Sequence, residues 1–153
     1  MVLALKHGDR QDIARHMARW MGSAGEEMIT AETVLVPVPL HWSRMLRRRY
    51  NQSVLLAQAL SRITGGLVVP DGLQRTRATT SQKDMRRAER FENQRSAIRP
   101  HPKRRALLRD RTVVLVDDVM TTGATLSACT EACFAAGAST VSVLVFARVA
   151  RLA

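Results

Sequence analysis

The sequence predicts an α/β fold in which a mainly parallel sheet is flanked by helices. Short apolar runs of strand length alternate with longer segments of helical periodicity, in the order β, α, β, basic insertion, β, α, β. The run at 113–116 consists of four aliphatic residues in succession, which is typical of a strand buried on both faces of a parallel sheet. Since 153 residues suffice for one sizeable core, we expect a single domain over residues 1–153.

A helix precedes the first strand. Helical periodicity extends from about Gly8 to Gly22, and its apolar residues are expected to form one buried side. These residues are Ile13, Ala14, Met17, Ala18, Trp20 and Met21. The strand lies within 33–40, where Pro37 and Pro39 require it either to end or to lie at an edge of the sheet.

A basic loop follows this strand and contains Arg44 and Arg48. Runs of arginine are usually solvated surface. However, the carboxyl end of a strand is where α/β sheets bind ligands, and a guanidinium group matches the geometry of phosphate. Both interpretations remain open; under the second, these two arginines bind a diphosphate.

The middle of the chain contains a helix, a short strand and a long basic segment. The helix is predicted from Val54 to about Ile63, with Gly65-Gly66 at its end, and the strand at 67–70. The basic segment, called the insertion below, covers about 71–111 and includes a polar helix near 84–94. Because its apolar residues are few, we expect it to contribute little to the core. It is either a solvent-exposed excursion or a cover over a phosphate site.

The aliphatic run leads into two carboxylates, Asp117 and Asp118, and then into a loop of small and hydroxyl residues that ends at Thr125. A strand, a tight loop and a helix N-terminus form an anion site, because unpaired N–H groups and the helix dipole point at the ligand. The carboxylates would repel an anion, so they suit sugar hydroxyls or a metal ion beside it. The motif therefore predicts a sugar-phosphate site.

The last two elements are a helix from Gly123 to about Ala136 and a strand over Ser139–Ala147. The helix carries both cysteines, Cys129 and Cys133, which we interpret as small core residues. No disulfide framework is expected. No apolar run has the length of a membrane span and no signal peptide is recognisable, so we expect a cytoplasmic protein without a membrane span.

The formal net charge of +11 favours polyanionic ligands such as nucleic acid, nucleotides or pyrophosphate. Aromatic residues make up only 4% of the chain, so a platform for stacking single-stranded bases would be sparse. The charge supports phosphate chemistry without selecting one phosphate.

The acidic pair and the Thr-Thr-Gly-Ala-Thr loop resemble the phosphoribosyl-diphosphate-binding motif of the type I phosphoribosyltransferases. Other stretches extend the resemblance over nearly the whole chain to the ComF type, a bacterial family associated with competence and DNA uptake. They include Val36-Pro37-Val38-Pro39-Leu40, Arg48 with Tyr50-Asn51-Gln52, and the series Gln82, Arg90 and Asn93. The resemblance implies a type I phosphoribosyltransferase-like fold in which the insertion forms a small basic hood.

The resemblance also implies phosphoribosyl diphosphate and Mg²⁺ as ligands, and transfer of the phosphoribosyl group to an unidentified nitrogen acceptor. The loop that would hold the 5-phosphate comprises Thr121, Thr122, Gly123, Ala124 and Thr125. Asp117 and Asp118 would contact the ribose hydroxyls, serve catalysis and bind Mg²⁺. The cations that would receive or cover the diphosphate are Arg44, Arg48, Arg75, Arg77 and Lys83.

Two alternatives to an enzyme remain open. One is a module that binds phosphoribosyl diphosphate or a nucleotide without turnover, and the other is a competence protein that interacts with single-stranded DNA or with a protein of the uptake machinery. A homodimer is expected by family resemblance alone. Purine-salvage members that use hypoxanthine or guanine carry an Asp where this chain has Thr121, which argues against those acceptors. The usual N-terminal zinc-binding segment is lacking, and Arg49 replaces a common glycine.

Overall fold

The computed structural model describes residues 11–40, 51–76 and 97–149. The helices of these ranges are α1 (Gln11–Ala24), α2 (Gln52–Thr64), α3 (Arg105–Leu108) and α4 (Ala124–Ala135). The strands are β1 (Val34–Pro37), β2 (Leu67–Val68), β3 (Leu73–Arg75), β4 (Ile98–Pro100), β5 (Thr112–Met120) and β6 (Thr140–Arg148). The expected α/β class is confirmed. The polar helix predicted near 84–94 lies outside the described residues.

Four strands form a parallel sheet in the order β2-β1-β5-β6. In its register, Pro37 at the end of β1 lies beside Val116 of β5, so the carboxyl ends of these two strands are neighbours. The strand β1 is interior and ends at Pro37, which is the first of the two possibilities that its prolines allowed. The carboxyl ends of β1 and β5 therefore lie at one edge of the sheet, where the N–H of Val38 donates to the carbonyl of Val116.

Helices cover both faces of this sheet. The side chains of Val113–Val116 are fully buried, which confirms the interpretation of this aliphatic run. Val113 and Leu115 pack in a core cluster with α4, whereas Val114 and Val116 pack in a second cluster with α1 and α2. The alternation follows from the two-residue period of a strand.

The buried side of α1 differs from the prediction at one residue. Ala14, Met17, Ala18 and Met21 are buried as expected, but Trp20 is 60% exposed. Trp20 lies at the border of the apolar stripe, because it shares a helix face with Met17, three positions before it, but not with Ala18 or Met21. Its ring stacks on Phe146 of β6, with ring centroids 6.0 Å apart, so it covers the edge of the sheet instead of entering the core.

The described ends of the insertion form structure that the sequence did not predict. The strands β3 and β4 pair antiparallel, with Leu73 beside Pro100, and α3 follows. Leu73, Ile98 and Leu108 are buried in the cluster that contains α4. The expectation that the insertion contributes little to the core is wrong for these ends, because its few apolar side chains are concentrated where it joins the sheet.

Both cysteines are free and buried, which confirms their interpretation as core residues. Burial raises the pKa of the Cys133 thiol to about 12, so it stays protonated at neutral pH. Across the ranges given above, we find no helix whose length and apolarity would let it cross a membrane.

Candidate functional site

The acidic pair lies inside a strand and not after it. The strand β5 continues through Asp117 and Asp118 to Met120, and a three-residue turn then leads into α4. Gly123 ends this turn with φ 81°, in the left-handed region, where a side chain is strained. The glycine therefore allows the strand to turn directly into the helix.

A small polar cavity of about 40 Å³ lies at this turn. Its lining consists of Asp117, Val119, Met120, Thr121, Thr122, Gly123, Ala124, Thr125 and Leu126. Pockets for whole small molecules usually measure about 300–1,000 Å³, so this cavity suits a single group of a larger ligand.

The backbone supplies hydrogen-bond donors at the cavity. Ser127 is the first residue of α4 whose N–H donates to a carbonyl of the same turn, that of Gly123 at 2.9 Å. The N–H groups of Thr125 and Leu126 precede this bond and so have no acceptor within the helix. Together with the helix dipole, they make the turn suitable for an anion.

Asp117 is held at the edge of this cavity. Its Oδ1 accepts hydrogen bonds from Ser53 Oγ at 2.8 Å and from the N–H of Asp118 at 2.9 Å. Burial, and next the neighbouring Asp118 carboxylate, raise the pKa of Asp117 to about 7, although the bond from Ser53 opposes this rise. A cation beside the pair would favour the ionised form.

Hydrogen bonds at the start of α2 hold its first turn beside Asp117. Asn51 Oδ1 accepts the N–H of Ser53 at 3.0 Å, and Asn51 Nδ2 donates to the carbonyl of Val38 at 3.0 Å. The N–H of Val38 in turn donates to the carbonyl of Val116 at 3.0 Å. These bonds join the ends of β1 and β5 to α2, and they place Ser53 against Asp117.

The structure brings together Asp117, Asp118 and the whole loop Thr121–Thr125, as the sequence predicted. Arg75 lies half-buried on β3. Burial, Cys133 and Asp117 raise the pKa of the Cys129 thiol well above its usual value, whereas the charge of Arg75 lowers it. Arg75 and Asp117 therefore lie within electrostatic range of the same thiol. The other cations proposed for the diphosphate, Arg44, Arg48, Arg77 and Lys83, lie outside the described residues.

Sequence reasoning missed Ser53, which is 64 positions from Asp117. The only sequence signal was the polar Asn51-Gln52-Ser53 run at a helix start that follows a strand's carboxyl end.

The acidic pair fits a magnesium ion that shares its coordination with a phosphate ligand. Asp118 lies half-buried beside Asp117 near the carboxyl end of β5. In the part of the chain that the structure describes, no cluster of three or more metal-ligating side chains occurs. Mg²⁺ is commonly bound by one or two carboxylates together with substrate phosphates and water, so two carboxylates suffice when a ligand is present.

A larger cleft of about 350 Å³ lies at the opposite, amino-terminal edge of the sheet. Three carboxylates line it, from Glu27, Glu32 and Asp110, with Arg111 among them. Arg111 donates to the carbonyl of Glu32 at 2.9 Å. The carboxylates that line this cleft would repel a phosphate, so the smaller cavity at the β5–α4 turn is the better phosphate site despite its size.

Comparisons with known proteins identify the family to which this chain is similar. A family described as the phosphoribosyl transferase domain matches residues 51–152. The DNA utilization protein YhgH of Escherichia coli O157:H7 is 37% identical over 109 residues, 71% of this chain and 46% of that protein. Competence protein F of Haemophilus influenzae is 37% identical over 93 residues, 61% of this chain and 40% of that protein. The chain thus spans about half the length of these curated relatives.

A solved structure supports the fold. The crystal structure of TT1426 from Thermus thermophilus aligns with 92% of this chain and 85% of that chain, with a TM-score of 0.52. Sequence identity is 19%, so this likeness concerns the fold alone.

Proposed function

The chain belongs to the phosphoribosyl transferase domain family, in its ComF-type branch, and on that basis we propose that it binds phosphoribosyl diphosphate. We propose further that it transfers the phosphoribosyl group to a nitrogen acceptor. The observation that carries this proposal is the contact between a phosphate-sized cavity and a half-buried carboxylate, Asp117, at the carboxyl edge of a parallel sheet. A sugar phosphate needs both an anion site and hydroxyl acceptors within one ligand's length.

Each part of the site has a separate task in this proposal. The N–H groups at the start of α4 and the hydroxyls of Thr121, Thr122 and Thr125 bind the 5-phosphate. The carboxylates of Asp117 and Asp118 accept hydrogen bonds from the ribose hydroxyls. Their negative charge also stabilises the positive charge that develops on the ribose ring in an oxocarbenium-like transition state.

The proposed step is a displacement at C1 of the ribose. The lone pair of the acceptor nitrogen forms the new C–N bond, the bond from C1 to the diphosphate oxygen breaks, and its electron pair leaves with diphosphate. The nitrogen loses its proton to solvent. The protein contributes chiefly by positioning the reactants and stabilising charge.

Mg²⁺, held by Asp117 and Asp118 together with ligand oxygens, would neutralise diphosphate charge. Among the cations predicted for the diphosphate, Arg75 lies within the described residues, and its charge lowers the pKa of the buried Cys129 thiol. We assign it to the diphosphate side of the ligand.

Calorimetric titration with phosphoribosyl diphosphate and Mg²⁺ tests binding, and release of diphosphate across a panel of amines and nucleobases tests turnover. We expect saturable binding that Thr122→Val together with Thr125→Val weakens by about 10-fold or more, because two hydroxyl donors to a charged group are lost. Thr140→Val, an exposed threonine at the start of β6, is the matched control. Binding without diphosphate release would replace the enzyme with a sensor of the same ligand, and absence of binding would reject both.

Single-stranded DNA is a second candidate ligand, because the net charge is +11 and the relatives carry the names DNA utilization protein and Competence protein F. Binding through phosphate contacts must weaken steeply with salt. We expect affinity for an oligonucleotide to fall about 10-fold or more between 50 and 200 mM salt, and to fall again when Arg86, Arg87 and Arg90 are changed to Gln. Salt-insensitive binding, or none, would reject this candidate.

A further inference from the structure

The side chain of Gln52 is buried and lacks a hydrogen bond that its chemistry requires. Only 3% of Gln52 is exposed. Within the described ranges, its Nε2 is fully buried and has no acceptor. A buried amide donor without a partner destabilises a fold, so native structures rarely retain one without a reason.

The neighbours of Gln52 show that the surrounding network is otherwise satisfied. Asn51 uses both ends of its side-chain amide, on Ser53 and on Val38. Ser53 donates its hydroxyl to Asp117. Gln52, between them, is therefore the exception in a run of polar residues whose other members all make defined contacts.

The position of Gln52 is also informative. It is the first residue of α2, between two residues that contact the ends of β1 and β5. This is the edge of the sheet that carries the acidic pair. Gln52 does not line the phosphate cavity at the β5–α4 turn. A ligand oxygen that meets its amide must therefore belong to a part of the ligand beyond the 5-phosphate.

We propose that Gln52 is a ligand-binding residue whose side-chain amide donates to a ribose or diphosphate oxygen of a phosphoribosyl ligand. This inference rests on the proposed function and adds a contact to it. The ligand supplies the acceptor that the described part of the protein does not. The start of α2 favours an anionic or electron-rich group for the same dipole reason as the start of α4.

Gln52→Met tests the assignment, because methionine keeps the length and apolar stem of glutamine and removes the donor. Gln58→Met, at an exposed position of the same helix, is the matched control. Two quantities are measured for each variant: the Tm of the ligand-free protein and the Kd for phosphoribosyl diphosphate with Mg²⁺, with ribose 5-phosphate as a second probe.

If Gln52 serves the ligand, Gln52→Met raises the Tm of the free protein by about 2 °C or more, since an unsatisfied donor is removed. The same variant raises the Kd for phosphoribosyl diphosphate by about 10-fold or more. A loss shared by ribose 5-phosphate places the contact on the ribose, and a loss confined to phosphoribosyl diphosphate places it on the diphosphate. Gln58→Met changes neither quantity.

Three results would overturn the assignment. A lower Tm with unchanged Kd would show that the amide is bonded within the protein. An unchanged Kd in Gln52→Met, while the wild type binds, would reject the contact and leave the proposed function intact. No binding by the wild type would reject the proposed function and this contact with it.

Discussion

Asp117 combines burial, a neighbouring carboxylate and a hydrogen bond from a distant helix in one side chain. Its pKa of about 7 means that ionising this carboxyl group near neutral pH costs free energy in the ligand-free protein. A ligand or cation that stabilises the carboxylate removes this cost.

This pKa makes stability depend on pH. The pKa of Asp117 in the folded state exceeds its unfolded value of 3.8. The protonated carboxyl group therefore stabilises the fold fully below about pH 4, and this stabilisation is lost as the pH rises through about 7. Asp117→Asn, which mimics the protonated form, should be more stable than the wild type at pH 8 by on the order of 4 kcal/mol. Urea unfolding of both proteins between pH 4 and 8 measures the difference.

The difference between the two proteins should shrink towards zero as the pH falls to about 4. Equal stabilities across the whole range would show that Asp117 titrates normally, and would remove the electrostatic argument for its role.

At the level of single residues, the order of residue types along the chain was enough to predict that the acidic pair and the threonine loop lie together, because all of them belong to one short segment. The contact between Ser53 and Asp117 and the buried amide of Gln52 were not predicted, for a physical reason. The first is a contact across 64 positions, the second is a donor with no acceptor among the described residues, and neither leaves a periodic pattern in the sequence.

Among the elements, the β5–α4 turn is the most demanding in conformation. Gly123→Ala should lower the free energy of unfolding by about 1–2 kcal/mol and weaken binding of phosphoribosyl diphosphate, since an alanine is strained at φ 81°. Space is not the reason, because an added Cβ would lie 3.9 Å from Met120 Sδ. Urea unfolding and calorimetry measure the two effects.

Gly22→Ala provides the matched control. Gly22 lies in α1, and a Cβ there would meet only Ile63 and Leu60 at 3.7 and 3.8 Å, which is ordinary contact. This variant should gain up to about 1 kcal/mol through helix propensity. If both variants changed stability alike, the left-handed turn would have no special importance.

The order of the elements and most of their boundaries were predicted from hydrophobic periodicity and from the glycines and prolines that end helices and strands. Gly65 ends α2 in the left-handed region at φ 79°, as its position in the sequence predicted. The β3–β4 pair and α3 were missed because each is only three or four residues long. Elements of that length depend on tertiary contacts more than on local pattern.

For the whole molecule, the parallel sheet with helices on both faces is the type I phosphoribosyltransferase fold, and the family match confirms the recognition made from motifs. The sheet order brings β1 and β5 together, so the end of β1 at Pro37 and the acidic pair in β5 lie at one edge of the sheet. Topology thus joins segments that the sequence separates by about half the chain.

In the proposed function, the β5–α4 turn binds the 5-phosphate while Asp117 and Asp118 bind the ribose. A crystal structure of the protein with phosphoribosyl diphosphate and Mg²⁺ tests it most directly. We predict the 5-phosphate within hydrogen-bond distance of the N–H groups of Thr125 and Leu126, with ribose hydroxyls on the acidic pair. A ligand in the cleft beside Glu27 and Asp110, or a phosphate turned away from Gly123, would show that the β5–α4 turn is not the phosphate site.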